Sequence, residues 1–370
     1  DCMGEKLYYL PVDVLHDFIR DVMLKAGLST EDSEVCADVI LESDLRGIES
    51  HGIGRLKYYF QRVKNGQHKA VTNFEIIRET PTTAVVDGHH GIGMVIGKRA
   101  MQMAIDKART YGMGSVAVRN STHFGIAGYY PSMAVEQGMV GFTFTNARPS
   151  TSPTFGVTPL LGTNPIAFGA PSDEPFPFLY DAATPITQRG KIEVYNRAEK
   201  KTPEGWIIDQ NNEYMTDPKE ILAAIPKGNA SFLPLGGVGE TLGGHKGYGL
   251  GTMVEILSAS FQTGTFLTGL TGVGADGSVQ PFKIGHFFMA INVEAFVGLD
   301  EFKKTTGQIL RQLRASQKAP GQSRIYTAGE KEYESEKIVR KQGVPVNSNL
   351  QKDIKFLVEE LGLTAYTFDF

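Results

Sequence analysis

Apolar positions set the outline of the chain. Val14, Leu15, Ile19, Val22 and Met23 recur at helical spacing and predict an amphipathic first helix. Thr30 is expected to cap a second helix that ends at Gly47, and Ser50 a third that runs from His51 to Gly66. Phe74–Arg78, Thr83–Asp87 and Ser115–Arg119 read as short strands, with a helix ending at Gly112 before the last of them. A helix over Ala127–Gly138, strands over Val140–Thr145 and Ile166–Ala170, and an apolar strand ending at Asp181 continue the alternation. Gly190–Lys200 and Pro218–Ile225 read as helices, Lys246–Gln262 as a strongly apolar helix, Thr263–Lys283 as a Gly-rich loop, and His286–Asn292 as a buried strand. The tail predicts helices over residues 299–316, 329–342 and 348–361, then a short strand ending at Phe370.

This is a mixed α/β pattern without an internal repeat. At 370 residues it exceeds the size at which one core usually stops growing, so two closely packed domains are expected. Composition adds little: 41% hydrophobic and 21% charged residues describe an ordinary globular protein. The 37 Lys and Arg against 41 Asp and Glu leave a net charge of -4, which argues against nucleic acid or an anionic membrane as partner. Cys2 and Cys36 are too few for a disulfide framework and lack zinc-site spacing, so a reducing compartment and no metal are expected. Asp13, His16, Asp17, Arg20 and Asp21 interrupt any apolar leader, and the localisation expected is cytoplasmic.

Four segments carry candidate chemistry. In Ser50-His51-Gly52-Ile53-Gly54-Arg55, the four-residue spacing puts His51 and Arg55 on one face of the expected third helix. Reducing a 2-oxoacid needs a proton for the developing alkoxide, which His supplies near neutral pH, and a planar partner for the carboxylate, which Arg supplies. Asn120-Ser121-Thr122-His123-Phe124-Gly125 follows a strand end, an address for functional groups; His123 could bind cofactor, touch substrate or act as the acid-base group. The loop Asn146–Pro165, about 20 residues without predicted structure, is long enough to suggest function. Its hydroxyls and amides, with Asp181-Ala182-Ala183-Thr184 shortly after, suit a sugar-phosphate ligand. Finally, Leu235–Gly244 is a Gly-rich loop leading to His245 and Lys246 at the start of a helix, where backbone N–H groups and Lys246 can hold phosphate.

Two phosphate motifs fail on spacing. His245 and Gly247 break the Walker A order around Lys246. Gly91, Gly93 and Gly97 follow a strand as a Rossmann turn would, but the last glycine is one residue too far, and the next strand ends in Arg119-Asn120 where an acidic residue would be needed.

Taken together, Ser50-His51-Gly52 with Arg55, Ser121–Gly125, Leu161-Gly162-Thr163-Asn164-Pro165, Asp181–Thr184, His245–Leu250 and Gly329-Glu330 resemble the type 2 malate/L-lactate dehydrogenase family. The resemblance implies a non-Rossmann NAD(P)-binding fold with a large, mostly antiparallel sheet surrounded by helices. It divides the chain into residues 1–120 with 300–370, helical, substrate-binding and dimerising, and residues 121–299, binding NAD or NADP. It further implies a homodimer with its active sites near the subunit interface. By similarity, Ser50, His51 and Asp181 form a proton relay with His51 as the acid, and Arg55 holds the substrate carboxylate; Thr163 and Lys246 also reach substrate. His123 is the alternative acid and otherwise a nicotinamide-side contact. Asn146, Gly162, Thr163, Asn164, Asp181, Ala182, Ala183, Thr184, Gly244, His245 and Lys246 are expected along the cofactor, with Gly329 and Glu330 beyond them. Pro185 departs from the hydroxyl residue that family members often carry after the Asp-x-Ala-Thr motif.

The activity implied is hydride transfer between NAD(P)H and a small 2-oxoacid, malate/oxaloacetate first, with L-lactate, sulfolactate, ureidoglycolate or a cyclic imine as alternatives. A non-catalytic nucleotide-binding protein is the reading from a different class, against which the intact His51, Arg55 and Asp181 argue.

Overall fold

The structure is a computed structural model that describes residues 7–370; Cys2 lies outside the described residues. β1 (Tyr8–Leu10) leads into α1 (Val12–Lys25), α2 (Thr30–Leu45) and α3 (Leu56–Lys64), with short 3-10 turns at Glu49–His51 and Ile53–Arg55 between the last two. There follow β2 (Glu75–Glu79), β3 (Thr83–Asp87), α4 (Gly93–Tyr111), β4 (Met113–Ser121), α5 (Tyr129–Glu136), β5 (Met139–Thr145), β6 (Ile166–Ala170) and β7 (Phe178–Ala182). An excursion through α6 (Arg189–Arg197), β8 (Ile207–Asp209), α7 (Pro218–Ala224) and β9 (Ala230–Phe232) precedes α8 (Gly244–Ala259) and β10 (Ile284–Asn292). The chain closes with α9 (Leu299–Arg314), α10 (Glu330–Gln342), β11 (Val344–Val346) and α11 (Ser348–Leu361).

A seven-stranded sheet of order β2-β3-β4-β10-β5-β6-β7 forms the centre, and all its pairings are antiparallel except β3 with β4. The mostly antiparallel sheet expected from the resemblance is therefore present. β10 lies between β4 and β5 and opposes both, and β6 opposes both β5 and β7, so β4, β5 and β7 run in one direction. Their C-terminal ends, Ser121, Thr145 and Ala182, consequently lie along one edge. Each is followed by a segment that the sequence marked for function.

Both faces of the sheet are covered, which explains why β10 reads as a continuous apolar run. Phe288 and Ala290 pack in the core that α4 and α5 complete, while the alternating Phe287 and Met289 belong to the cluster with Val254 of α8 on the other face. A second core joins α1, α2 and α3 to α10 and α11, and β1 pairs with β11, so the two ends of the chain close one end of the molecule together. The central sheet takes strands from both sides of residue 120, β2, β3 and β4 from one and β5, β6, β7 and β10 from the other. The excursion over α6 to β9 has its own small core of Ile192, Ile207, Ile221 and Phe232.

Several local expectations need correction. The helix expected from His51 begins only at Leu56, because Gly52 is extended (φ -88°, ψ -144°) and splits the preceding residues into two separate turns. Ser50 makes no capping bond there. The cap of α2 is Ser29, whose Oγ accepts the Asp32 amide, one residue before Thr30. No strand forms after Leu361; instead Phe368 and Phe370 pack edge-on against Phe18 and Tyr8.

Candidate active site

The turn Glu49–His51 presents Ser50 and His51 side by side, with Ser50 Oγ 2.8 Å from His51 Nδ1. Arg55 ends the next turn and folds back, its Nε donating to the Ser50 carbonyl at 2.8 Å. His51 and Arg55 thus come together by a folded-back guanidinium across a break in the backbone, where the sequence had suggested one helical face. The arrangement leaves both terminal nitrogens of Arg55 without a hydrogen-bond partner among the described residues, the pair of donors a bidentate carboxylate needs. Half-burial and the neighbouring Arg55 charge push the His51 pKa down to about 4.

Asp44 of α2 fixes this break. Its buried carboxyl accepts the Ile53 amide at 2.8 Å and lies directly under Gly52, where a Cβ would sit 2.0 Å from Oδ1. Burial pushes its pKa up to about 8, against the pull of the Ile53 amide. Glycine is required at position 52 because a carboxylate occupies the space a side chain would need.

His123 follows β4 and stacks near-parallel on His51, with ring centroids 5.5 Å apart. Behind it, Tyr59 of α3 places its hydroxyl 2.6 Å from His123 Nδ1. Burial, reinforced by His51 and Arg55, lowers the His123 pKa well below the usual histidine value. Gly93, half of the failed Rossmann turn, packs against this loop: a Cβ there would lie 2.1 Å from the Thr122 carbonyl. That glycine serves helix packing behind His123.

His286 of β10 ties the His123 loop to the next segment. Its Nε2 contacts Ser121 Oγ at 2.7 Å and its Nδ1 contacts Thr145 Oγ1 at 2.8 Å, bridging the ends of β4 and β5. Beyond Thr145, Asn146 is 1% exposed and Asn164 fully buried. Asn146 accepts the Gly285 amide and reaches Glu255, while Asn164 donates to Glu255 and to the Gly251 carbonyl, each at 2.9 Å. The Asn146 side chain and the Asn164 amide nitrogen are committed to the scaffold, while Asn164 Oδ1 is buried without a hydrogen-bond partner among the described residues. Gly162 is closed by Ala147, whose carbonyl oxygen would stand 2.5 Å from an added Cβ. Glu255 is the organiser the sequence reading missed; its signal was a lone carboxylate inside an apolar helix. Burial raises its pKa, partly offset by the amides it accepts.

Asp181 makes its hydrogen bond away from Ser50 and His51. Its Oδ2 accepts the Gly128 amide at 2.8 Å, and among the described residues no hydrogen bond or ion pair links it to Ser50 or His51. The residue is exposed at the rim, yet protein crowding around the carboxyl raises its pKa, with the Gly128 amide opposing. It couples the His123 loop to β7, and hence to Ala182, Ala183 and Thr184. The Thr184 amide donates to the Thr163 carbonyl at 3.0 Å and the Leu235 amide to the Thr184 carbonyl at 3.0 Å, joining three of the loops marked in the sequence. Gly251 of α8 packs on Thr184. Gly244 opens α8, capped by left-handed Gly243, with His245 and Lys246 exposed at its start. Gly329 packs on β7, and Glu330 turns inward, 2% exposed, into a 2.9 Å ion pair with Arg324.

The family model described as malate/L-lactate dehydrogenase matches residues 10–355. The chain belongs to the malate/L-lactate dehydrogenase family. Within it, the chain is 42% identical over 361 residues to a malate dehydrogenase of Pyrococcus abyssi, covering 98% of this chain and 97% of that one. It is 40% identical to an L-sulfolactate dehydrogenase of Methanocaldococcus jannaschii over 93% of this chain and 95% of the relative. Among solved structures, a malate dehydrogenase from Entamoeba histolytica superposes with a TM-score of 0.93 at 44% identity, covering 99% of this chain and all of that one. Family membership implies a nicotinamide cofactor and a small 2-oxoacid substrate. Among the described residues no helix is long and apolar enough to cross a membrane, and no cluster of His, Cys, Asp and Glu could hold a metal.

Proposed function

We propose that this member of the family interconverts oxaloacetate and malate with NADH or NADPH as hydride donor. The observation that carries the reading is the unpartnered fork of Arg55 beside the stacked His51 and His123. The names of relatives at 42% and 44% identity support malate within the class. The dinucleotide fits the loops after β5 and β7 and the start of α8: left-handed glycines 236, 237, 239 and 243, free N–H groups at a helix N-terminus and exposed Lys246 are a donor set for phosphate. The proposed site is not a Rossmann crevice.

When bound, the reduced nicotinamide supplies the hydride for the carbonyl carbon. Arg55 holds the substrate carboxylate, and His51 gives its proton to the oxygen on which charge develops. Ser50 Oγ keeps the His51 ring oriented. The carbonyl gains one hydride and one proton and becomes the alcohol. A homodimer is part of this reading, supported by exposed Leu250, Met253 and Ile256 on α8 with Phe261 and Phe266 beyond them. Cytoplasmic localisation belongs to it too.

The test is a substrate and cofactor panel. The protein is expected to oxidise NADH or NADPH fastest with oxaloacetate, ahead of pyruvate, a sulfonated 2-oxoacid and a cyclic imine. A faster partner in the panel would reassign the substrate, and nicotinamide binding without turnover on any would move the chain to a binding role.

The pH dependence follows from His51. Because its pKa is lowered to about 4, the ring is neutral in the free protein near pH 7, and the acid form is the rare one. Substrate carboxylate on Arg55 offsets the guanidinium charge and favours the imidazolium, so productive binding takes up a proton. On the alkaline side kcat/KM for oxoacid reduction should therefore fall about tenfold per pH unit, while that for hydroxyacid oxidation, which uses the neutral ring that already dominates, stays level. Parallel profiles in the two directions would contradict this assignment.

A further inference from the structure

Two histidines face one another at this site, and the hydrogen bonds around the second decide which of its nitrogens carries a proton. The Gly125 backbone amide points at His123 Nδ1 from 3.3 Å, and the Tyr59 hydroxyl approaches the same nitrogen at 2.6 Å. A backbone N–H can only donate. Were Nδ1 protonated, it would face the Gly125 hydrogen with its own, and no rotation of a main-chain amide relieves that. The Tyr59 hydroxyl, by contrast, is free to turn its hydrogen toward the lone pair, and its burial, 1% exposed, keeps it protonated. Nδ1 is thus an acceptor for two donors, and the ring proton lies on Nε2, which has no hydrogen-bond partner among the described residues.

We infer that Tyr59, with the Gly125 amide, locks His123 as the neutral Nε2–H tautomer, making it a fixed hydrogen-bond donor to the substrate oxygen and barring it from acting as the proton donor. Forming the imidazolium requires a proton on Nδ1, where Gly125 and Tyr59 already direct theirs. Surrounding groups act in the same sense: Arg55, His51, His68 and His286 all disfavour positive charge on the ring. In the reduction, His123 keeps its Nε2 proton throughout and polarises the carbonyl, as neutral imidazoles do in other enzymes. The transferred proton comes from His51. This assignment of labour rests on the oxidoreductase reading above, but the tautomer itself does not.

The ring positions allow a cheap perturbation. Tyr59→Phe keeps the buried aromatic and its tilted contact with His123, 5.7 Å between centroids, and removes only the donor. Tyr59 is a positioning residue, so its effect should appear in the tautomer and in kcat, with KM little changed. Nitrogen-15 histidine NMR of the full chain, with His123 identified by the signal missing in His123→Asn, reads protonation at each nitrogen. In the wild type, His123 is expected to show an unprotonated Nδ1 and a protonated Nε2 from alkaline to mildly acidic pH. Tyr59→Phe should give a tautomer mixture and lower kcat on the order of 10-fold, by loss of a prealigned donor. A wild-type His123 protonated at Nδ1, or one that becomes imidazolium near neutral pH, overturns the inference. The same holds if Tyr59→Phe leaves both tautomer and kcat unchanged. If the tautomer is as expected but no 2-oxoacid is turned over, the functional reading fails and the lock stands.

Discussion

His51→Asn is expected to lower kcat for oxoacid reduction by about 10²- to 10⁴-fold, the range that a positioned proton donor supplies. Asparagine keeps a polar side chain beside Ser50 but cannot transfer a proton, so substrate still meets Arg55 and KM should change little. Stopped-flow oxidation of the nicotinamide, with KM measured alongside, separates the two effects. The stacked neighbour cannot take over, because His123 Nδ1 is filled by Tyr59 and Gly125. The alkaline fall in kcat/KM should disappear with His51, since the titrating group is gone. Turnover near the wild-type rate in His51→Asn would return the acid role to His123 and sink this assignment. Half-buried His51 belongs to a surface turn outside the apolar cores, so the variant should unfold near the wild-type temperature.

Strands such as Val140–Thr145 and His286–Asn292 were legible because both faces of the sheet are covered and the residues form apolar runs. The chemistry-bearing types at Ser50, His51, Arg55 and His123 were legible as local clusters. Their mutual geometry was not, because it is set by contacts distant in the chain: Asp44 under Gly52, Tyr59 behind His123, His286 between β4 and β5, and Glu255 beneath Asn146 and Asn164. Each is a buried polar group whose partners lie on other elements, and periodicity carries no trace of that. The polar residues expected along the cofactor show the same dependence on distant contacts. Asn146 and Glu330 are polar residues in loops marked for a ligand, but buried polar groups must be satisfied, and here the protein itself satisfies them, as it does the amide nitrogen of Asn164. Asp181 enters the relay by resemblance, and the hydrogen bond its Oδ2 accepts from the Gly128 amide is a contact the sequence does not show.

Gly52→Ala is expected to cost nearly as much activity as losing the acid itself. The added Cβ would lie 2.0 Å from Asp44 Oδ1 and 2.3 Å from its Cγ, far inside contact distance. One of the two must move. If Asp44 yields, the Ile53 amide loses its 2.8 Å acceptor and a buried polar pair is broken, at about 1–3 kcal/mol. If the backbone yields, the turn carrying Ser50 and His51 shifts relative to the turn carrying Arg55, and a displacement of about 1 Å between acid and clamp lowers the rate on the order of 100-fold. Both outcomes act on the spacing between proton donor and carboxylate clamp, so kcat should fall and KM rise together. Asp44→Ala in the Gly52→Ala background removes the clash, and the pair should couple: the double variant is expected to be no less active than Gly52→Ala alone, although each single change is harmful. Strictly additive losses, or a Gly52→Ala enzyme with wild-type kcat/KM, would show that the buried carboxyl does not set the geometry of the site.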